Sequence, residues 1–273
     1  MAARDSAPVT PAVDGSSMSH EQADTAVAEG FDWRDGPAGR SMVARNLAPF
    51  ARHVFTTRDL AFREDEARDY ARLGQMLDMP ADAIVRIRQV HGRTVLVVKP
   101  GMPLVALVDA DSVVSIDPAR AVSVRVADCV PILIADRHAR VVAAVHAGWR
   151  GTCAAVTAAT IEAVEGLGID PADLVAAIGP SIGPCCYQVD DLVRTAYLGM
   201  TPDAADWFAE DGPGHWKLDL PRANADQLES AGVPRESIAI ARYCTVDHPE
   251  TCFSYRAEGK RTGRMVGAIR LST

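Results

Sequence analysis

Between residues 83 and 145 the chain is divided into short β-type runs separated by turns of Asp, Pro or Arg-His, and three of those runs lead straight to a metal-binding type of side chain. Residues 83–89 run into Gln89-Val90-His91-Gly92, residues 121–126 into Ala127-Asp128-Cys129-Val130-Pro131, and residues 141–145 into His146-Ala147-Gly148-Trp149-Arg150-Gly151. Runs this short, rich in Val and Ile and bounded by turn residues, form strands. Strand ends can converge on one point, so the pattern predicts a single metal site made of His91, Cys129 and His146. Zinc held by three protein groups keeps its fourth position open for water or substrate, the arrangement of a catalytic rather than a structural site. Cys129 in its tight turn could equally be a nucleophile.

The rest of the chain fits the same reading. Val122, Val124 and Val126 alternate with Ser123 and Arg125, which gives one buried and one polar face. Residues 141–145 are apolar throughout, as a central strand covered on both faces requires. Further strands are expected at 52–57, 94–99, 112–116, 132–135, 175–178, 216–220, 237–243, 251–256 and 265–271. Helices are expected at 62–78, where Phe62, Tyr70, Leu73 and Leu77 share a face and Pro80 stops the pattern, and at 152–165 and 221–231. Asp190 is placed to cap another, through Leu198. The irregular mixture of βα units and hairpin-like spacing predicts an α+β fold, mixed β-sheets packed with helices in a layered sandwich, as a single domain over residues 41–273. Residues 1–40, rich in Ala, Asp, Ser, Gly and Pro, read as a mobile N-terminal extension.

Composition narrows the classes of partner. The chain has 273 residues, 48% of them hydrophobic, enough to bury a substantial core. Its net charge of −8 is scattered, with no Lys/Arg-rich block to face a nucleic acid or an anionic membrane. No stretch approaches a membrane span or a signal-peptide core, so a cytoplasmic location is expected, with the six cysteines reduced. Cys153, Cys244 and Cys252 then read as small buried hydrophobes. The neighbours Cys185-Cys186 lack the spacing of a metal knuckle, and Cys186 is expected to line a loop near the site. Nothing in the sequence sets the oligomeric state.

Four arginines, Arg58, Arg150, Arg256 and Arg264, lie at strand or turn boundaries, where a guanidinium is shaped to fork onto phosphate or carboxylate. The glycine turn after His146 and the helix beyond it add backbone amides suited to an anion. Asp128 either orients a ligand or moves a proton. His20, His138, His215 and His248 read as solvated, and His53 as a strand residue without a role.

Taken in order, Gln89-Val90-His91-Gly92, Asp109 to Ser115, Ala127-Asp128-Cys129-Val130-Pro131-Ile132, His146-Ala147-Gly148-Trp149-Arg150-Gly151, Gly179 to Val189, Cys244-Thr245, Phe253-Ser254-Tyr255-Arg256 and Thr262-Gly263-Arg264 resemble the laccase-domain family. Its members carry the names polyphenol oxidase-like protein and purine nucleoside phosphorylase. The resemblance implies a sandwich of mixed sheets and a zinc ion on His91, Cys129 and His146. It also implies phosphorolysis of purine nucleosides such as adenosine, inosine and methylthioadenosine, with phosphate as co-substrate and adenosine deamination alongside. The chain departs from the family pattern at Asp59-Leu60-Ala61-Phe62, which replaces a Gly-Gly-Val-Ser loop after Arg58, and at Gln188, which replaces a Glu. A Cys129-dependent or zinc-dependent amidase editing peptidoglycan precursors is the alternative. A copper polyphenol oxidase is a third reading, but reduction of oxygen calls for a dense set of histidines that the sequence does not cluster.

Overall fold

Side chains that alternate along each central strand enter different cores, and this alternation builds the layers. The computed structural model describes residues 29–103 and 107–272. One six-stranded sheet runs, in spatial order, β1 (Phe31–Gly36), β2 (Gly39–Ala44), β3 (Ala51–Thr56), β15 (Met265–Leu271), β7 (Ala121–Val126) and β4 (Ile84–Val85). A second runs β14 (Ile238–Ile240), β10 (Leu174–Ile178), β8 (Val130–Asp136), β9 (Val142–Ala147), β6 (Ser112–Ser115) and β5 (Val95–Val98). A three-stranded sheet of β11 (Gln188–Asp190), β13 (His215–Leu218) and β12 (Phe208–Glu210) pairs with neither, but its Val189 and Leu218 join the core on the second sheet's helix side. Most pairs are antiparallel, but β4 with β7, β5 with β6 and β10 with β14 are parallel.

Val122, Val124 and Ile269 of the first sheet meet Leu133, Ala135, Val142 and Ala144 of the second in one core. Their neighbours Ile132, Ile134, Ala143 and Val145 turn to the opposite side and pack on Ile161 and Val164 of α3 (Val156–Glu165) and Leu228 of α5 (Leu220–Ser230). On the outer face of the first sheet, Val54, Val266 and Ala268 pack on Tyr70 and Leu73 of α1 (Glu66–Met76). Helix, sheet, sheet and helix thus form a layered sandwich in a single domain, the α+β arrangement expected from the sequence. Each Leu, Ile or Val so buried contributes about 1.5–3 kcal/mol.

Three expectations are corrected. The fold begins ahead of Ser41: β1 and β2 form a hairpin with Gly39 at its turn, φ +79°, and Phe31 is buried in the inter-sheet core. The expected mobile extension otherwise falls on residues 1–28, outside the described residues. The helix expected at 152–165 is broken into α2 (Trp149–Cys153) and α3, because Ala155 adopts a left-handed φ of +60°. Residues 251–256 form no strand; Ser254 instead caps α6 (Tyr255–Glu258) by accepting from the Ala257 amide. Asp190 does cap α4 (Asp191–Met200), accepting from the Val193 amide at 3.1 Å. Among the described residues, no helix is long and apolar enough to cross a membrane.

Candidate metal centre

Pairing of β8 with β9 sets Pro131 opposite His146 and Val130 opposite Ala147, so the turn that carries Cys129 lies against the end of β9. That turn is tight because Asp128 is left-handed, φ +83°. His91 lies beyond the isolated bridge between Arg88 and Asp109, where only Ile84–Val85 of the expected strand is regular, and it too is left-handed, φ +60°. Gly148 lets the three close together: a Cβ there would come within 2.9 Å of the Cys129 Sγ and 3.2 Å of the His91 ring.

One donor atom from each of His91, Cys129 and His146 lies within 4.8 Å of the others. The two imidazoles meet edge to face, 4.8 Å between centroids and 82° between planes. His146 is buried, Cys129 half-buried and His91 exposed, so the group opens to solvent on the His91 side. Behind it sits Asp111, fully buried, a residue the sequence did not single out. Its Oδ1 accepts from His146 Nδ1 at 2.8 Å and from the His91 amide at 2.9 Å, and its Oδ2 accepts from the Gly92 amide at 2.6 Å. With Nδ1 engaged, Nε2 of His146 is the nitrogen left for a ligand.

Burial works against ionising Cys129, but the charge and hydrogen bonds of His146, with His91, overcome it and bring the thiol down to about 6. Burial likewise disfavours a charged His146; the Cys129 thiolate and the Asp111 carboxylate reverse this and raise it to about 9. Thiolate and imidazolium thus favour one another here, and a divalent cation bound by the pair would displace the imidazolium proton.

The other expected residues divide. Burial pushes the Tyr187 phenol well up; Cys129 and Asp128 push the same way, and Arg256 and Arg150 oppose them. Arg264, depressed first by burial and then by Arg125, also feels Cys129 and Asp128. The Arg256 guanidinium forks onto the Gln188 carbonyl, 3.1 Å from each nitrogen. Arg150 stacks on Trp149 at 4.3 Å and, among the described residues, its guanidinium makes no hydrogen bond or ion pair. Arg58 is committed elsewhere, to the Pro249 carbonyl, to Glu258 and to the Phe253 ring. The Asp128 carboxylate is filled by the Thr245 hydroxyl and the Arg256 amide, each at 2.6 Å, so it fixes the turn rather than moving a proton. Cys186 joins Cys185, Cys244 and Asp247 in a separate group. Helix α2, at five residues, sums too small a dipole to serve as the expected anion site.

The donor set fits zinc. Tetrahedral coordination by two imidazoles and a thiolate at about 2.0–2.3 Å needs donors about 3.4–3.6 Å apart, within small side-chain adjustments of those present. A third-histidine or multi-copper arrangement finds no support, since among the described residues His53, His138, His215 and His248 join neither group of converging ligands.

Comparison with known proteins gives this geometry a context. The family described as multi-copper polyphenol oxidoreductase laccase matches residues 53–272. Purine nucleoside phosphorylase YlmD of Geobacillus stearothermophilus is 39% identical over 133 residues, 48% of each chain. A purine nucleoside phosphorylase of Staphylococcus aureus is 37% identical over 128 residues, 47% of each chain. The chain thus spans about half the length of the curated relatives it matches. In structure, YlmD from Geobacillus stearothermophilus superposes with TM-score 0.79 at 30% identity, covering 85% of this chain and 96% of that one. A hypothetical protein YfiH of Bacillus licheniformis gives TM-score 0.81 at 26% identity, covering 88% of this chain and 99% of that one.

Proposed function

The chain belongs to the multi-copper polyphenol oxidoreductase laccase family, and from that membership and the geometry of the centre we propose that it is a zinc-dependent purine nucleoside phosphorylase. Its substrates on this reading are adenosine, inosine and methylthioadenosine, with adenosine deamination as a side activity. The observation that carries the proposal is the convergence of His91, Cys129 and His146 on one open point, with Asp111 behind them. The names of the relatives support the reaction class.

When bound, zinc supplies Lewis-acid chemistry and lowers the pKa of water toward neutrality. The protein's own residues do the rest. Phosphorolysis requires phosphate beside the ribose C1′ and stabilisation of charge on the departing base. Arg150, without a competing partner among the described residues, holds the phosphate, and Arg256 and Arg264 add positive potential around Cys129. His91, Cys129 and His146 would hold the ion, and Asp111 fixes the His146 ring. The six free cysteines suit a reducing, cytoplasmic compartment.

The Cys129 thiolate paired with His146 is also the resting state of a cysteine nucleophile, which keeps an amidase acting on peptidoglycan precursors as the second reading. Incubating metal-analysed protein with each nucleoside, with and without phosphate, separates the two. Phosphate-dependent release of free base and ribose 1-phosphate supports the proposal. No base release, together with amide cleavage that survives chelation and stops on alkylation of Cys129, overturns it.

A further inference from the structure

The second group of converging ligands shares no residue with the first. Strands β10 and β14 are parallel neighbours, so both release their following loops at the same end of the sheet. A bridge between Ser181 and Cys244 continues the pairing into those loops. There Cys185, Cys186, Cys244 and Asp247 each present a donor atom within 4.8 Å of the other three. The two Asp247 oxygens accept from Cys185 and Cys186, each at 3.0 Å, and the Gly183 amide lies 3.4 Å from the Cys244 sulfur.

We propose that Cys185, Cys186, Cys244 and Asp247 form a second, structural zinc site that clamps the loop after β10 to the loop after β14. Three sulfurs and a carboxylate are a donor set that selects a thiophilic divalent ion. Around tetrahedral zinc such donors stand about 3.6–3.8 Å apart, and those present all lie within 4.8 Å of one another. Thiols serving merely as small apolar fillers would be buried among apolar groups, yet Cys185 is exposed and Cys186 half-buried, and both point at a carboxylate. Among the described residues Asp247 makes no ion pair; its two oxygens accept only from the thiols, and a cation could take both. On binding, the three thiols release three protons; three thiolates, one carboxylate and Zn²⁺ leave a net charge of −2. Arg242 lines the same cavity of about 300 Å³ as Cys185, Cys244 and Asp247 and has the sign that offsets that charge, whereas Arg222, also in its lining, is paired with Asp206 and Asp226. Four protein donors close the coordination sphere, so the role is structural, not catalytic. The clamped loops also hold the turn before Cys129: the Ile182 amide donates to the Asp128 carbonyl at 2.9 Å and the Thr245 hydroxyl to its carboxylate.

Zinc X-ray absorption on the reductively purified, intact chain tests this without any substitution. The expected result is two zinc ions per chain and an average of two sulfur neighbours per zinc at about 2.3 Å. One zinc per chain with a single sulfur neighbour overturns the proposal. A cobalt titration of metal-free Cys129→Ser protein, which lacks the only sulfur of the first group, isolates the second. Uptake of one equivalent with a strong sulfur-to-cobalt charge-transfer band, lost when Cys185→Ser and Cys186→Ser are added, supports it. Cobalt uptake without that band, or a denatured mass 2 Da low from a disulfide within the cluster, contradicts it. Both readouts are independent of nucleoside turnover, so failure of the phosphorylase reading leaves them intact.

Discussion

Asp111 accepts the His146 Nδ1 proton and the amides of His91 and Gly92 while wholly shielded from water, so one carboxylate fixes two of the three ligands. In Asp111→Asn an amide nitrogen competes with these donors or leaves one unpaired; zinc affinity should fall about 10–100-fold, read by competition with a chromophoric chelator. Gly148→Ala drives a methyl group to 2.9 Å from the Cys129 sulfur and should lower zinc content while the far-ultraviolet circular dichroism stays that of the parent. Arg150→Ala should raise KM for phosphate by about tenfold, one charge-assisted hydrogen bond's worth, with zinc content unchanged. His146 and Cys129 were legible in the sequence because each follows a strand pattern into a glycine or proline turn. Asp111 was not: an Asp ahead of a short β run looks like any turn residue, and only the fold shows it sealed behind His146. Cys244, read as a buried filler, is buried, but its sulfur is turned to a ligand group assembled from two distant loops, which no local spacing records.

At the level of elements, the turn joining β8 to β9 shows how a carboxylate holds a hairpin closed beside the centre. Asp136, fully buried, accepts from the Arg140 amide at 3.0 Å and from its Nε and Nη2 at 2.8 and 2.9 Å. Burial alone would raise its pKa, but Arg140 holds it below the usual carboxylate range. A carboxyl depressed in the folded state stabilises above its unfolded pKa, about 3.9, and that contribution is lost as pH falls through the folded value. Asp136→Asn should therefore cost about 1–3 kcal/mol at pH 7 in denaturant unfolding, with the gap to the parent closing as pH falls below about 4. The elements themselves were mostly readable, β7 and β15 to the residue: β7 alternates Val with Ser123 and Arg125, and β15 is an almost continuous apolar run, as a strand covered on both faces is. The β1–β2 hairpin was missed because Gly36, Gly39 and the charged Arg34 and Asp35 mask its pattern. The strand expected at 251–256 failed because Ser254 offers a cap to the helix that follows. Both outcomes turn on pairing partners and caps that lie outside the run of apolar residues.

On the scale of the molecule, the two large sheets and the candidate centre are one construction. Phe55 of β3 crosses the gap between sheets to lie on Gly179, just beyond β10, where a Cβ would sit 2.4 Å from its ring. A rigid ring cannot yield that space, so Gly179→Ala should cost about 1–3 kcal/mol and lower Tm by several degrees. The layered architecture was legible because alternation assigns each strand two faces; the order of strands was not, since β15 pairs with β3 and β7, both far away in the sequence. That long-range closure is what delivers the ends of β7 and β9 to the same place as His91. The proposed reaction needs a metal held by those three side chains. The most direct measurement is phosphate-dependent release of ribose 1-phosphate from adenosine by the same preparation as isolated, after zinc removal, and after zinc is restored. Turnover should disappear with the metal and return with it; undiminished turnover by protein shown to be metal-free would contradict a metal-dependent reaction.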